Sequence, residues 1–294
     1  MRVLVLGAGG QLGRLVAAQA PYNTKVSSYA SAVCDISDRK QLQQVVAKTA
    51  PELVINCAAY TKVDLAESER EKAFAVNETG VRNLVEVTRD DVRLLHVSTD
   101  FVFDGSGSAP YAPDAATKPI GVYGASKLAG EQVLQQLAPQ RSVIVRTAWL
   151  YAAEGQNFLN TMLRLMRTRD ELRVVSDQRG TPTAAHGLAQ ALWAFAQQPA
   201  LRGIFHWTDD GEASWYEFAG EILAQALERG LLARQIPIHP ITTAEYPTPA
   251  RRPAYSVLDK TATWQALGLQ GRPWQAMLGD VLDQLKRIEA AEQA

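Results

Sequence analysis

Short runs of apolar, often β-branched residues alternate with longer stretches of helical periodicity along the first half of the chain. The runs typical of buried strands lie at 2–6, 25–29, 52–56, 93–98 and 142–146. Segments of helix length lie between them, at 11–20, 38–49, 64–89 and about 121–138. Strand and helix in this rhythm predict an α/β fold, a Rossmann-type doubly wound parallel sheet with right-handed crossovers.

The alternation weakens after Trp149, where loops rich in proline and glycine appear. "DQRGTPT" occupies 177–183 and "YPTPARRPAY" occupies 246–255. This change predicts two regions, a first domain over 1–150 to which later segments return, and a smaller domain mainly over 151–294.

A glycine cluster, "LGAGGQLG", directly follows the first strand and directly precedes a helix. Gly7, Gly10 and Gly13 have the spacing that lets a backbone turn tightly, approach a pyrophosphate and aim a helix N-terminus at it. The alternative is a tight turn without a ligand. In this strand-to-helix context the pattern favours dinucleotide binding.

The end of the second strand bears on which dinucleotide binds. It reads "SYASA", without the Asp or Glu that would bind a ribose 2′-hydroxyl and repel a 2′-phosphate. The sequence therefore admits NADPH and leaves NADH open.

Three segments follow predicted strands where a doubly wound sheet places its ligands, beyond the carboxyl ends. They are "CDIS", which contains Asp35 and Ile36, "CAAYT" at 57–61, and "STDFVF" at 98–103. Each alone is equally typical of an ordinary strand-end loop. Together they predict one ligand-binding edge.

The segment "VYGASK" places Tyr123 and Lys127 four positions apart, on one face of a predicted helix. Thr99 ends a strand at the predicted cofactor edge, so its hydroxyl can meet the phenol and the ammonium. A phenol has an unperturbed pKa of ~10, and a neighbouring cation lowers it. These three residues are the candidate catalytic group, and the alternative is a helix start with a packed tyrosine and a solvated lysine.

Composition excludes several kinds of partner. The chain of 294 residues is 47% hydrophobic and 21% charged, with a formal net charge of −1, so it has no electrostatic reason to bind nucleic acid or an anionic membrane. Its apolar runs are too short to span a bilayer, and a cytoplasmic protein is expected. The two cysteines, Cys34 and Cys57, form no disulfide framework, and the four scattered histidines support no zinc site.

These residues resemble those of the extended short-chain dehydrogenase/reductases through "GAGGQLG", the hydroxyl-bearing "ST" and the Y-x-x-x-K of Tyr123 and Lys127. Within that group the sequence is most similar to the dTDP-4-dehydrorhamnose reductases. The motifs that carry this similarity are "GQLG", "NCAAYTKVDLAE", "STDFVFDG", "YGASKLAGE", "RTAWLYA", "DQRGTPT" and "YPTPARRPAYSVLD". They are spread in order over nearly the whole chain.

The resemblance implies a Rossmann domain with a small C-terminal α/β substrate-binding domain, and reduction of the C4 ketone of a nucleotide-linked sugar by NADPH. It implies the cofactor contacts: Gly7, Gly10, Gln11, Leu12 and Gly13 at the pyrophosphate, Asp35 and Ile36 at the adenosine, Ala59, Tyr60 and Thr61 in the middle, and Val97, Tyr123 and Lys127 at the nicotinamide half. It also implies the substrate contacts: Thr99 at the reacting oxygen, Asp100 and Trp149 at the sugar. Arg251 and Arg252 either clamp the diphosphate or are simply solvated.

Two rival functions stay open. Epimerases and 4,6-dehydratases share the fold, but a dehydratase needs a glutamate after Thr99 and Asp100 to remove the C5 proton, and Phe101 occupies that place. The second rival is a non-catalytic regulator, because the regulatory subunit of methionine adenosyltransferase resembles the same reductases. The complete set of Thr99, Tyr123 and Lys127 argues against it.

Metal binding is the point where the chain departs from part of the family. Some of these reductases are associated with Mg²⁺ through acidic residues, and the corresponding places here are Leu15 and His186. A hard cation prefers oxygen ligands, so Mg²⁺ is not expected. We expect a monomer or a homodimer that no metal bridges.

Overall fold

The computed structural model describes residues 1–293. The strands are β1 (Arg2–Leu6), β2 (Lys25–Tyr29), β3 (Leu53–Asn56), β4 (Arg93–Thr99), β5 (Ser142–Thr147), β6 (Leu150–Tyr151), β7 (Leu172–Val175), β8 (Arg179–Gly180), β9 (Thr183–Ala184), β10 (Gly203–His206), β11 (Ala213–Ser214) and β12 (Ile238–Ile241). The α-helices are α1 (Gln11–Ala18), α2 (Arg39–Thr49), α3 (Val63–Ala66), α4 (Arg70–Phe74), α5 (Gly80–Val87), α6 (Val122–Leu137), α7 (Phe158–Thr168), α8 (Ala185–Ala196), α9 (Trp215–Glu228), α10 (Thr261–Leu267) and α11 (Trp274–Gln293). Ala75–Thr79 form a π-helical turn, and Asp100–Val102 and Thr243–Glu245 form 3₁₀ turns.

The main sheet has six parallel strands in the order β2-β1-β3-β4-β5-β10. The strand order reverses at β1, so a crevice opens beyond the carboxyl ends of β1 and β3. Register brings Leu6, Asn56 and His96 side by side on β1, β3 and β4. The predicted parallel, doubly wound α/β fold is confirmed.

Alternating residues of β1 show how the sheet is buried on both faces. Val3 and Val5 pack with α1 and α8, and Leu4 and Leu6 pack with α2, α5 and α6. All four side chains are buried. Continuous apolar runs are therefore what this strand needs, as expected of a parallel sheet covered by helices.

A second core lies in the later part of the chain. It is formed chiefly by α7, α9 and α11 around the parallel pair β7 and β12. However, α8, β10 and α10 pack with the main sheet although they follow residue 150. Because the chain passes between the two cores more than once, the division at residue 150 stays a prediction.

The segment 64–89, predicted as one of the stretches of helix length, is largely helical but not continuous. The segment contains three short α-helices and the π-helical turn, with a break between α3 and α4. At the break the Glu67 carboxylate accepts a hydrogen bond from the backbone N–H of Val122 at 2.8 Å, and the Tyr60 hydroxyl donates to Glu69 at 2.7 Å. These long-range bonds favour the break over continued helix. No helix within residues 1–293 has the length and apolarity needed to cross a bilayer.

Candidate active site

The glycine loop packs against the segment that follows β3. Gly7 has φ of +79°, and a Cβ there would lie 2.5 Å from the backbone nitrogen of Ala58. A Cβ at Gly13 would collide with the carbonyl of Gly7. α1 begins at Gln11 without a side-chain cap and without an acidic residue in its first turn. Its first N–H groups and its dipole therefore fit a diphosphate.

Gln11 uses its side chain to hold the start of α1 in place. Its amide donates to the carbonyl of Leu150 at 3.1 Å and accepts from Asn157 at 3.2 Å. Leu12 is buried in the core. Both residues can therefore offer a ligand their backbone, and not their side chains.

Asp35 and Ile36, predicted at the adenosine, lie in the loop after β2. Asp35 accepts hydrogen bonds from the backbone and the hydroxyl of Ser37 at 2.9 and 2.7 Å. Ile36 is buried beneath Gly80, and Asn83 donates to its carbonyl at 3.0 Å. The Ile36 side chain thus belongs to the core.

Asn77, which the sequence reasoning missed, fastens the predicted middle of the cofactor site, Ala59 to Thr61. Its side chain accepts from the N–H of Tyr60 at 2.9 Å and donates to the Tyr60 carbonyl at 3.1 Å. It also donates to the Ser126 hydroxyl on α6 at 2.9 Å. Asn77 lies in the π-helical turn, a feature frequent at functional sites. The sequence feature that could have identified Asn77 is an asparagine inside an apolar helical pattern.

Thr99 and Tyr123 are brought together by the packing of α6 on the 3₁₀ turn after β4. A Cβ at Gly124 would collide with the carbonyl of Phe101, so only glycine allows this approach. The Phe101 ring meets the Tyr123 ring edge-on, with centroids 5.5 Å apart. The Thr99 hydroxyl lies beside the phenol and donates to Asp100 at 3.0 Å.

The pKa of Tyr123 shifts in the direction opposite to the prediction. Burial raises it to about 12, and the Thr99 hydroxyl only partly opposes this. Lys127 is buried and donates to the Val97 carbonyl at 2.7 Å, and its Nζ lies 3.2 Å from His96 Nε2. Burial lowers the pKa of Lys127 to about 8. The lysine therefore does not lower the phenol pKa in this structure.

Asp100, predicted to orient the sugar, is a buried carboxyl. Burial raises its pKa to about 6. One oxygen accepts from Thr99 and the Ser256 hydroxyl lies near the carboxyl, while Oδ2 makes no hydrogen bond of normal geometry within residues 1–293. A buried acceptor without a partner suits a ligand hydroxyl.

A buried ion pair, also missed from the sequence, holds α6 against the sheet. Glu131 lies one turn beyond Lys127 and accepts three hydrogen bonds from Arg146 of β5, Nη2 to Oε2 at 2.7 Å and Nε to Oε1 and Oε2 at 3.0 and 3.3 Å. Ser98 of β4 also donates to Glu131. The ion pair fixes the position of α6 along β4, and with it the positions of Tyr123 and Lys127.

Trp149 has an unusual backbone conformation, with φ of +45°. Such a conformation is strained for a bulky side chain and is found preferentially at functional sites. Its ring stacks on Trp215, with centroids 3.5 Å apart and an interplanar angle of 6°. Trp215 donates to Gln178 at 3.2 Å and was not singled out from the sequence. Trp149 is therefore a half-buried ring that Trp215 holds in place and against which Gly180 packs closely.

The two arginines predicted at the diphosphate have different surroundings. Arg252 forms a two-pronged ion pair with Asp64, both N–O distances being 2.8 Å. Arg251 is exposed, and its side chain makes no hydrogen bond or ion pair within residues 1–293. Only Arg251 is free to meet a ligand without breaking an internal contact.

The two positions considered for Mg²⁺ lie on neighbouring helices, α1 and α8. Leu15 packs against the core, and Nε2 of His186 lies 4.0 Å from a carboxylate oxygen of Asp280. Within the described part of the chain no three His, Cys, Asp or Glu residues are grouped to hold a metal. The independence from Mg²⁺ stays a prediction.

Comparisons with known proteins agree with this arrangement. The family model described as the RmlD substrate binding domain matches residues 1–287. The dTDP-4-dehydrorhamnose reductase of Sinorhizobium fredii is 41% identical over 282 residues, which cover 94% of each chain. The dTDP-4-keto-6-deoxy-D-glucose reductase of Streptomyces niveus is 41% identical, covering 98% of this chain and 99% of that protein.

Solved structures give the same result. The dTDP-4-dehydrorhamnose reductase of Bacillus anthracis, in complex with NADP, has a TM-score of 0.90 and 35% identity, covering 96% of this chain and 99% of that one. The UDP-glucose 4-epimerase of Thermus thermophilus, at 19% identity and a TM-score of 0.80, shares the fold. Fold and site define an extended short-chain dehydrogenase/reductase. More narrowly, the chain belongs to the dTDP-4-dehydrorhamnose reductase family, which confirms the resemblance seen in the sequence.

Proposed function

We propose that the protein reduces the C4 ketone of dTDP-4-dehydro-L-rhamnose with NADPH and releases dTDP-L-rhamnose. One observation carries the proposal: Thr99, Tyr123 and Lys127 meet at the carboxyl end of β4, on the same edge of the sheet as the glycine loop, in a chain of this family. A regulator without activity has no need of that convergence.

The cofactor fits the described residues. The uncapped start of α1 binds the diphosphate, the segment 59–61 binds the middle of the cofactor, and Val97 and Lys127 bind the nicotinamide half. The chain after β2 carries no carboxylate at Ala30 or Ser31, which leaves room for a 2′-phosphate. The structure of the B. anthracis relative with NADP supports the same choice, with NADH as a possible substitute.

The protein's own residues supply the proton and hold the ketone, and bound NADPH supplies the hydride. Tyr123 donates its proton to the ketone oxygen, and the Thr99 hydroxyl turns from Asp100 to donate a hydrogen bond to the same oxygen. Asp100 accepts a hydrogen bond from a sugar hydroxyl through its unpartnered Oδ2. Trp149, stacked on Trp215 and half-buried, packs on the sugar with the part of its ring that stays exposed.

The substrate could instead be the 4-keto-6-deoxy-D-glucose compound, since the S. niveus relative is named as a reductase of it. Elimination is disfavoured, because Phe101 packs on Tyr123 at the place where a dehydratase needs a base. We further propose that the protein is cytoplasmic and is a monomer or a homodimer. No metal bridges the subunits in this proposal, since Leu15 and His186 offer Mg²⁺ no carboxylates.

Turnover by the purified protein tests the function. With NADPH and dTDP-4-dehydro-L-rhamnose we expect stoichiometric NADPH oxidation and a product that NMR identifies as dTDP-L-rhamnose. Parallel reactions with dTDP-4-keto-6-deoxy-D-glucose and with dTDP-glucose separate the alternatives. Faster reduction of dTDP-4-keto-6-deoxy-D-glucose would make that compound the substrate. Formation of a 4-keto-6-deoxy sugar from dTDP-glucose would indicate a dehydratase. If no sugar supported NADPH oxidation, the regulator would be favoured.

A further inference from the structure

The segment "DQRG", residues 177–180, contacts two parts of the proposed substrate site. One part is the stack of Trp149 on Trp215, and the other is the turn that leads to the arginine loop, residues 246–252. Gln178 is only 5% exposed. A Cβ at Gly180 would lie 2.5 Å from the Trp149 ring, so the chain passes directly against that indole. Because a buried amide needs partners for both of its ends, the partners of Gln178 show what this segment holds together.

One end of the Gln178 amide binds the tryptophan stack. Its Oε1 accepts a hydrogen bond from Trp215 Nε1 at 3.2 Å. An indole nitrogen only donates, so this contact requires the amide oxygen and fixes the orientation of the amide. The centroid of the Trp215 ring lies 3.5 Å from that of Trp149, with an angle of 6° between the rings. Gln178 therefore fixes the ring on which Trp149 rests.

The other end of the amide binds the 3₁₀ turn Thr243–Glu245, which directly precedes the arginine loop. Nε2 of Gln178 donates to Thr243 Oγ1 at 3.0 Å. The Thr243 hydroxyl donates in turn to Asp177 Oδ1 at 2.7 Å, and the Thr243 backbone N–H bonds the same carboxylate at 2.9 Å. A single side chain thus joins the tryptophan stack to the start of the arginine loop.

These side-chain hydrogen bonds all run in one direction. Trp215 donates to Gln178, and Gln178 donates to Thr243. Thr243 then donates to Asp177, whose carboxylate only accepts. A flipped Gln178 amide would place its NH₂ group against the indole N–H, two donors without an acceptor. The chain of bonds therefore has one satisfied arrangement, as a rigid connection requires.

Neighbouring contacts do not replace this connection. Asp177 bonds the turn, Gly180 packs against Trp149, and Arg252 anchors the far end of the arginine loop on Asp64. Within residues 1–293, only the Gln178 side chain forms hydrogen bonds with both the turn and the tryptophan stack.

We propose that Gln178 is a positioning residue that holds the Trp149–Trp215 stack at a fixed place relative to the arginine loop. The proposal rests on the proposed function, in which Trp149 packs on the sugar, and on the exposed Arg251 as the contact of the diphosphate. A nucleotide sugar that touches both places binds better when their separation is fixed, because neither place has to be ordered on binding. dTDP lacks the sugar and gains nothing from the fixed separation.

Calorimetric titrations with dTDP-L-rhamnose and with dTDP test the connection. Gln178→Met keeps the length of the side chain and removes both hydrogen bonds, so we expect the affinity for dTDP-L-rhamnose to fall about tenfold and that for dTDP by less than about twofold. Gln225→Met is the control and should change neither affinity, because Gln225 also makes two side-chain hydrogen bonds on α9, the helix that begins at Trp215. Equal losses for the two ligands, or no loss, in Gln178→Met would overturn the proposal.

Circular dichroism of the ligand-free protein tests the hold on the stack without any nucleotide. Two indoles stacked this closely couple their electronic transitions and give a paired positive and negative band, which Trp149→Phe identifies by removing it. Gln178→Met should lose most of this signal. Thr243→Val keeps the bond between Trp215 and Gln178, so it should retain the signal and still lose affinity for dTDP-L-rhamnose. An unchanged signal in Gln178→Met would overturn the proposal.

The outcomes separate this proposal from the proposed function. Reductase activity together with an unchanged signal in Gln178→Met would overturn the role of Gln178 alone. The expected losses in Gln178→Met, in a protein that reduces no sugar, would overturn the proposed function alone. A wild-type protein that binds neither nucleotide would overturn both.

Discussion

Arg252 and Asp64 are joined by two parallel hydrogen bonds of 2.8 Å across 188 residues of sequence. Arg252 also donates to the Ala250 carbonyl at 2.7 Å. The pair ties the loop after β12 to α3, which follows the predicted cofactor segment 57–61. It therefore holds the exposed Arg251 in a defined position beside the proposed site.

The two arginines should respond differently to substitution. Arg251→Ala is expected to raise KM for the nucleotide sugar about tenfold with little change in kcat, because a diphosphate contact is lost. Arg252→Ala should lower the free energy of unfolding by about 1–2 kcal/mol, because Asp64 loses its partner. Steady-state kinetics and urea denaturation separate the effects. A tenfold KM effect confined to Arg252→Ala would show that the roles are reversed.

Gly124→Ala should impair catalysis by moving α6 away from the turn that carries Asp100, since the added Cβ meets the Phe101 carbonyl. We expect kcat to fall at least tenfold while NADPH binding, followed by fluorescence, changes little. Gly220→Ala on α9 is the control, because a Cβ there has no neighbour within 4 Å. That variant should gain about 0.5–1 kcal/mol in stability from helix propensity and keep its kcat. Equal kcat in both variants would contradict the packing argument.

The buried carboxyl of Asp209 should make the free energy of unfolding depend on pH. Its Oδ2 accepts from the backbone N–H of Ala184 at 2.8 Å, and burial raises its pKa from 3.8 to about 7. Between these values the folded state binds more protons than the unfolded state, so this group's contribution makes the unfolding free energy fall as the pH rises. Asp209→Asn should therefore be more stable than wild type at pH 8, by about 1–3 kcal/mol, and not at pH 4. Urea titrations at both pH values check this, and a constant difference would contradict the assigned cause.

The sequence predicted the features that local pattern encodes. Apolar runs such as 2–6 and the spacing of Gly7, Gly10 and Gly13 mark the sheet and the loop, because each depends on neighbouring residues only. Tyr123 and Lys127 were recognisable because four positions separate them on one helix.

What the sequence did not predict depends on contacts between distant segments. Nothing local to Asn77 shows that its side chain holds Tyr60, and nothing local to Glu131 reveals Arg146 as its partner. The phenol pKa was predicted in the wrong direction because spacing reports the neighbour and not the burial. Likewise Arg251 and Arg252 look equivalent in sequence, and only Asp64 distinguishes them.

The central claim is that Tyr123 is the proton donor of a ketone reduction. Single-turnover reduction of dTDP-4-dehydro-L-rhamnose by wild type and Tyr123→Phe, each saturated with NADPH, tests it most directly. We expect the variant to bind NADPH with an unchanged Kd and to reduce the sugar about 10²–10⁴-fold more slowly. A variant that reduces the ketone within a few-fold of the wild-type rate would contradict the account.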